Sequence, residues 1–214
     1  MIVAGSLAAC GEGSSSDSNE KAGTYRVKVV KAEFPTEQRL GQTSLLHLGI
    51  RNDGDKTMPA ATVTISIGGK AGETSSLPFG IHDPQPELAQ PDRPVWVLAE
   101  GSPQIAGVEN PTVAGGVKNP GGAGTSSPKT FDLGPLKAGK EVEATWKLSA
   151  VKAGHYTVLY GVGAGLSTET KAETAGGVKP GGSFVVTISE RSPETTVNDA
   201  GEIVEIGKSK QGNK

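Results

Sequence analysis

The stretch from Glu141 to Ala150 constrains the fold most, because it alternates polar and apolar side chains without a break. A strict period of two is typical of a β-strand that buries one face. A second run, Tyr156 to Val162, alternates in the same way after a short connection. The pattern predicts two strands joined by a tight turn as a central hairpin. It also places Trp146, on the apolar side of the first strand, in the core.

Other segments carry the same alternation and bring the predicted total to about seven strands. In the first of them the apolar register shifts by one residue, so that Val30, Ala32 and Phe34 become the inward positions, and this shift predicts a β-bulge. Turn residues at Asn52-Asp53-Gly54 end the second strand, and they lack the ligand spacing of a calcium loop. The additional strands are expected at 24–34, 43–52, 61–67, 94–98 and 183–190.

The composition excludes some classes of binding partner, but it does not identify a particular partner. The 31 glycines and 14 prolines among 214 residues suit short strands joined by turns. A net charge of −2 provides no basic field for nucleic acid, so no nucleic-acid partner is expected. Aromatic residues make up only 4 % of the chain, which leaves few stacking platforms for sugars or bases.

The connection between the two central strands resembles the tyrosine corner of immunoglobulin-like domains. There a tyrosine just inside a strand donates a hydrogen bond to the connection that precedes it. The resemblance implies that Tyr156 is the corner tyrosine and that Gly154 supplies backbone freedom. Ahead of the central strands, Leu136-Lys137-Ala138-Gly139 is similar to the turn of CARDB-like and fibronectin-like modules. We therefore expect an all-β, immunoglobulin-like, antiparallel sandwich of two sheets.

Two further resemblances point to bacterial surface proteins. Asn52-Asp53-Gly54 followed by Val63-Thr64-Ile65 is similar to the start of bacterial surface immunoglobulin-like modules. In those modules the strand after the turn returns as a hairpin partner, which implies that the second and third strands pair. Residues 136–166 also resemble a segment of secreted actinobacterial proteins.

The N-terminus resembles a bacterial lipoprotein signal. Leu7-Ala8-Ala9-Cys10 is similar to the lipobox, in which the peptide is cut before the cysteine and the sulfur carries a diacylglyceryl group. Cys10 is the only cysteine, and the polar residues that follow it suit a flexible tether. The apolar run is short and no Lys or Arg precedes it, so we expect either that the true start lies upstream or that the sequence is trimmed. The resemblance implies a lipid anchor at Cys10 on the outer face of the cell membrane.

We divide the chain into three regions. Residues 1–23 are expected to hold a truncated signal peptide, the lipobox and the tether. Residues 24–190 are expected to form the sandwich, with a Pro/Gly-rich loop insertion at 68–135. Residues 191–214 are expected to form a C-terminal hairpin and a disordered tail.

The loop insertion is the place where we expect binding, because long loops are often functional. Its candidate binding residues are His82, Asp83 and Trp96. A Gly/Pro motif at 114–122 recurs at 175–182, either as two neighbouring loops at one end of the sandwich or as two independent turns.

Catalytic and cofactor motifs are weak. Residues 134–141 approach a phosphate-binding loop, but Glu141 replaces the Ser or Thr and a strand follows where a helix is needed. His47 and His155 are expected on solvated strand faces, and no G-x-S-x-G motif is present. We expect no catalytic residue, no metal and no cofactor.

Two hypotheses about function follow. The first is a non-enzymatic, lipid-anchored module of the cell envelope that binds or supports an envelope protein or polysaccharide. The second is an envelope enzyme or metal-binding protein that uses the 68–135 loop with His82 and Asp83.

Overall fold

The protein is an all-β sandwich, as the alternation predicts. A computed structural model describes residues 20–68, 79–81, 94–98, 103–106, 124–127, 130–192, 194–198, 200–201 and 203–205. Every regular element in these residues is a strand. We number the strands β1 (Gly23–Glu33), β2 (Glu37–Arg39), β3 (Thr43–Asn52), β4 (Thr62–Gly68), β5 (Phe79–Ile81), β6 (Trp96–Leu98), β7 (Gln104–Ile105), β8 (Gly124–Ser127), β9 (Thr130–Asp132), β10 (Glu141–Ala150), β11 (Gly154–Gly163), β12 (Thr170–Glu173), β13 (Gly181–Ser189), β14 (Thr195–Val197) and β15 (Ile203–Glu205).

Two sheets form the sandwich. The first sheet has the order β12-β1-β3-β10-β6-β5, and β7 also pairs with β10. The second sheet has the order β2-β13-β11-β4-β9-β8. Most neighbours are antiparallel, but β12, β2 and β5 join their sheets in parallel. The prediction of an immunoglobulin-like fold with two sheets is confirmed. The sheets also contain short strands of two to four residues that lie outside the alternating segments.

Two of the predicted hairpins, β10 with β11 and β3 with β4, are wrong, because the two strands of each pair lie in different sheets. Strand β10 pairs with β3 from Glu141 opposite Arg51 to Ser149 opposite Thr43. Strand β11 pairs instead with β13 and β4 in the second sheet. The expected pairing of β3 with β4 fails in the same way. Alternation shows which side of a strand is buried, and it leaves open which strand supplies the hydrogen bonds.

The bulge predicted in β1 is present. Val29 pairs with Ile50 and Lys31 with Gly49, so Val30 is the extra residue. The inward placement of Val30 is wrong, because the bulge leaves its side chain 43 % exposed. Ala32 is also exposed, and only Phe34 of the predicted set is buried.

The core lies between the inner faces of the two sheets. All four phenylalanines, both tryptophans and two of the three tyrosines form one chain of ring contacts, with centroid separations from 5.3 to 6.4 Å. The largest fully buried aliphatic side chains are Leu46, Leu48, Ile50, Met58, Ile65, Leu148, Val27, Val63 and Val95. Burial of this apolar surface is the main stabilising contribution.

Described parts of the 68–135 insertion belong to the sandwich. Phe79, Trp96 and Phe131 are buried there and contact the aromatic chain. The insertion therefore supplies strands and core side chains as well as connections, which corrects its interpretation as mainly a surface loop. Short strands escape detection by period because two to four residues hold at most two alternations.

The predicted C-terminal hairpin is present as β14 paired with β15. It forms a separate two-stranded sheet and extends neither sheet of the sandwich. Val197 and Ile203 are 63 % and 77 % exposed.

Candidate functional site

Several predicted site residues lie outside the described residues. Cys10 and the Leu7-Ala8-Ala9 cleavage motif precede them, and His82 and Asp83 fall in a gap. The first copy of the Gly/Pro motif, residues 114–122, also lies outside. The lipid anchor and the loop site therefore stay predictions.

Trp96 is a core residue, and its assignment to a binding loop is corrected. Its side chain is fully buried, and its Nε1 donates a hydrogen bond of 2.8 Å to Oε1 of Gln38, which is also buried. Its ring contacts Phe34 at 5.5 Å and Tyr156 at 5.8 Å. The surrounding apolar residues Val95, Val97 and Leu98 are also buried, so β6 is covered on both faces. Trp96 links the two sheets and cannot contact an external ligand.

The tyrosine corner is confirmed. Tyr156 Oη donates a hydrogen bond of 2.9 Å to the carbonyl oxygen of Ala153, in the connection between β10 and β11. Gly154 has φ +145°, and a Cβ there would lie 2.9 Å from Tyr156 Oη. Only glycine suits both the backbone conformation and the tyrosine ring. The corner fixes the point where the chain crosses from the first sheet to the second.

Trp146 lies in the core, as predicted. Its exposed fraction is zero, and its ring contacts Phe131 edge-on at 5.6 Å. Its Nε1 finds no hydrogen-bond partner among the described residues. Packing rather than hydrogen bonding therefore holds this side chain.

The turn after β3 is confirmed, and Asn52 makes hydrogen bonds both within the turn and to a distant segment. Asn52 Oδ1 accepts a hydrogen bond of 3.1 Å from the amide of Gly54. Its Nδ2 donates to the carbonyls of Lys56 and Leu136 at 2.7 and 2.8 Å. Asn52 is fully buried. It therefore fastens the β3–β4 connection to the segment that leads into β10.

A small charged network covers the outer face of the first sheet. Lys31 Nζ lies 2.7 Å from Glu143 Oε1, and the hydrogen bond lowers the pKa of Glu143 and raises the pKa of Lys31. His47 Nδ1 lies 2.9 Å from Thr145 Oγ1 and 3.6 Å from Glu143 Oε1. The prediction that His47 lies on the face opposite the core is confirmed.

His155 lies on the outer face of the second sheet, as His47 does on the first. It is exposed, and its Nδ1 lies 3.1 Å from Thr187 Oγ1 on the neighbouring strand β13. Within the described ranges, no three His, Cys, Asp or Glu side chains are grouped so as to hold a metal ion. No helix in this part of the chain is long and apolar enough to cross a bilayer.

Sequence reasoning missed one group, the carboxylate of Glu20. The sequence places Glu20 in the tether, yet both of its carboxylate oxygens accept hydrogen bonds from the amide of Leu166, at 2.8 and 2.9 Å. The amide of Ser167 donates to Oε2 at 2.7 Å, and Thr170 Oγ1 lies 3.5 Å away. The partners are 146 to 150 residues distant in sequence, so no local pattern could have indicated them.

Glu20 lies at one end of the sandwich, which we call the tether end. Strand β1 begins there, β3 ends there at Asn52, and β10 begins there at Glu141. A surface cleft of about 620 Å³ opens at this end beside Tyr25 and Asp53. The connection that holds the tyrosine corner lies at the opposite end.

The comparisons with known proteins give similarities of structure. No protein-family model matches the sequence, and no curated protein sequence matches it. A CARDB domain from Pyrococcus furiosus, in complex with di-metal ions, is 11 % identical with a TM-score of 0.37, over 76 % of this chain and 85 % of that one.

Two other solved structures show comparable similarity. A cohesin module from a Clostridium perfringens family 33 glycoside hydrolase is 14 % identical with a TM-score of 0.36, over 78 % of this chain and 98 % of that one. Native Escherichia coli alpha-2-macroglobulin, from domain MG7 to the C-terminus, is 14 % identical with a TM-score of 0.39. That match covers 83 % of this chain and 20 % of the other.

Proposed function

We propose that the chain is a non-enzymatic, lipid-anchored module on the outer face of the cell membrane. It binds or supports another component of the cell envelope, either a protein or a polysaccharide. The observation that carries the proposal is the sequence Leu7-Ala8-Ala9-Cys10, with the only cysteine of the chain in the position that the lipobox resemblance assigns to lipidation.

The distance between Cys10 and the domain supports this proposal. Nine residues, 11–19, separate Cys10 from Glu20, where contacts with the domain begin. Ten residue steps lead from Cys10 to Glu20, and a fully extended chain of this length spans at most about 36 Å. A lipid at Cys10 would therefore hold the tether end of the sandwich close to the bilayer and leave the opposite end facing away from it.

The residues inside the domain that the sequence singled out have structural roles. Trp146 and Trp96 pack in the core, and Tyr156 and Asn52 bond to backbone carbonyls. These groups stabilise the sandwich. Binding is therefore proposed for the exposed surface that the anchor presents to the envelope.

Membrane partitioning tests the proposal. The full chain, preceded by a complete signal peptide, is produced in a bacterium that processes lipoproteins, beside Cys10→Ser and the double variant Cys10→Ser/Ser14→Cys. The double variant keeps one thiol in the chain but moves it away from Leu7-Ala8-Ala9. We expect membrane association for the unchanged chain and its loss in both variants. Equal association of all three proteins would contradict lipidation at Cys10.

A further inference from the structure

We infer that the loop 165–170 is a carboxylate-binding site whose ligand is Glu20 of the same chain. The ligand holds residues 20–26, which we call the strap, alongside the edge strand β12. The inference depends on contacts within the domain and not on lipidation at Cys10, so it can fail or hold independently of the proposed function.

The loop has the geometry of an anion receptor. Two successive backbone amides, those of Leu166 and Ser167, point at the Glu20 carboxylate, and consecutive amides of this kind form anion-binding concavities. Hydrogen bonds to an ionised carboxylate are stronger than those between neutral groups. The carboxylate thus satisfies two amides that have no strand partner.

The loop is also held in the shape that receives the carboxylate. Thr170 is buried, and its Oγ1 donates a hydrogen bond of 2.8 Å to the carbonyl of Ser167. Ser167 Oγ in turn accepts a hydrogen bond of 3.1 Å from the amide of Glu169. A Cβ at Gly165 would lie 2.5 Å from Glu20 Oε2, so the glycine leaves the space that the carboxylate occupies. The loop is therefore organised around a bound carboxylate.

The rest of the strap continues the same attachment. The amide of Gly23 donates to the carbonyl of Glu169 at 3.1 Å, and Tyr25 Oη donates to the carbonyl of Lys21 at 2.9 Å. Gly23 to Arg26 then pair in parallel with β12. The β1–β3 ladder begins at Val27, and the carbonyl of Arg26 accepts a hydrogen bond of 2.9 Å from the amide of Asp53 in the turn after β3. The N-terminal part of the strap therefore attaches to β12 and its preceding loop. Release of Glu20 would loosen this edge while leaving the β1–β3 ladder in place.

Hydrogen exchange of the full-length chain tests the strap. The exchange rates of the Leu166 and Ser167 amides are measured by NMR in the unchanged protein, in Glu20→Ala and in the control Glu37→Gln, whose carboxylate is exposed on β2. We expect Glu20→Ala to raise both rates about tenfold or more, because the amides lose their acceptor. Glu37→Gln should leave both rates unchanged. Unchanged rates in Glu20→Ala would overturn the inference.

A rescue experiment tests the chemical class of the ligand. Glu20→Ala is titrated with potassium acetate, and with potassium chloride at the same ionic strength as a control. We expect acetate to shift the Leu166 and Ser167 amide resonances in a saturable manner and to slow their exchange, while chloride does neither. Absence of a saturable shift with acetate, or an equal shift with chloride, would show that the loop does not select a carboxylate. Amide resonances of β3 and β10, recorded in the same spectra, verify that Glu20→Ala remains folded.

Discussion

The outer faces of the two sheets differ, although their inner faces are built alike. On the first sheet, Lys31 pairs with Glu143, and Arg51 lies 3.8 Å from Glu141. On the second sheet, the outward positions of β4, β11 and β13 carry no Asp, Glu, Lys or Arg. Hydroxyl groups, glycines, His155 and two exposed apolar side chains, Leu159 and Val185, occupy them instead.

This difference shows that the buried inner faces stabilise the fold, whereas the outer faces determine which side chains the protein exposes to its surroundings. Exposed ion pairs contribute little to the free energy of unfolding, and so do exposed hydroxyl pairs. Both sheets bury aromatic and branched aliphatic side chains inward, and that burial is what they share. The same sandwich therefore tolerates charged outward side chains on β3 and β10 and outward positions without Asp, Glu, Lys or Arg on β4, β11 and β13. Fold alone does not determine function.

The largest expected effects come from the inner faces, where the two sheets should respond alike. Trp146→Ala in the first sheet should lower the free energy of unfolding by about 3–5 kcal/mol, and Ile65→Ala in the second by about 2–5 kcal/mol, because both side chains are fully buried. Denaturant unfolding measures both. A large loss for one variant and none for the other would show that the sheets do not share one core.

A smaller effect is expected at the corner that joins the sheets. Gly154→Ala should cost about 1–3 kcal/mol, since the new Cβ meets Tyr156 Oη and φ is +145°. Gly161→Ala on the same strand is the matched control, because no atom lies within 4 Å of its Cβ position. Thermal unfolding of the two variants measures the difference. Equal stability would contradict the requirement for glycine at the corner.

The ion pair between Lys31 and Glu143 on the first sheet should make the free energy of unfolding depend on pH. The hydrogen bond from Lys31 holds the pKa of Glu143 below 4.5, so the folded state binds this proton less readily than the unfolded chain. The stabilisation is present above pH 4.5 and is lost as the pH falls through the folded-state pKa. Because the side chain of Glu143 is 39 % exposed, solvent screens the interaction and the effect is small.

Unfolding measured from pH 3 to pH 7 checks this expectation. Glu143→Gln should flatten the decline of stability at acid pH, and Thr157→Ser on the second sheet should leave the curve unchanged in shape. An identical acid decline in the unchanged protein and in Glu143→Gln would show that the ion pair contributes nothing.

The smallest effects are expected for exposed apolar residues. Leu159 on the second sheet and Leu45 on the first are 42 % and 44 % exposed. Leu159→Thr and Leu45→Thr should each change the free energy of unfolding by no more than about 0.5 kcal/mol. Calorimetry of both variants measures this. A loss above 2 kcal/mol for either would show that its side chain contributes to the core.

Local periodicity predicted the all-β class and the buried faces of the longer strands. The facing of β3, β4, β10 and β13 follows from alternation, and the tyrosine corner and the Asn52 turn follow from short motifs. Sheet membership was not predictable in this way, because a strand with one buried face fits either sheet of a sandwich. The predicted β10–β11 and β3–β4 hairpins failed for this reason, whereas the C-terminal hairpin is present.

The residues of the candidate site were also difficult to predict from local sequence patterns. Trp96 was predicted on a short strand, 94–98, but was assigned to the binding loop because it lies within the 68–135 insertion, whereas the structure buries it against β10 and Gln38. Glu20 looked like part of the tether because its partners lie 146 or more residues away. Contacts of this kind form only when the chain is folded, so a local pattern does not contain them.

Anchoring through Cys10 is tested most directly by the intact mass of the mature chain recovered from the membrane fraction. We expect a polypeptide that begins at Cys10 and carries the additional mass of a diacylglyceryl group. An unmodified chain that retains residues 1–9 and remains in the aqueous fraction would contradict the anchor and the function proposed for it.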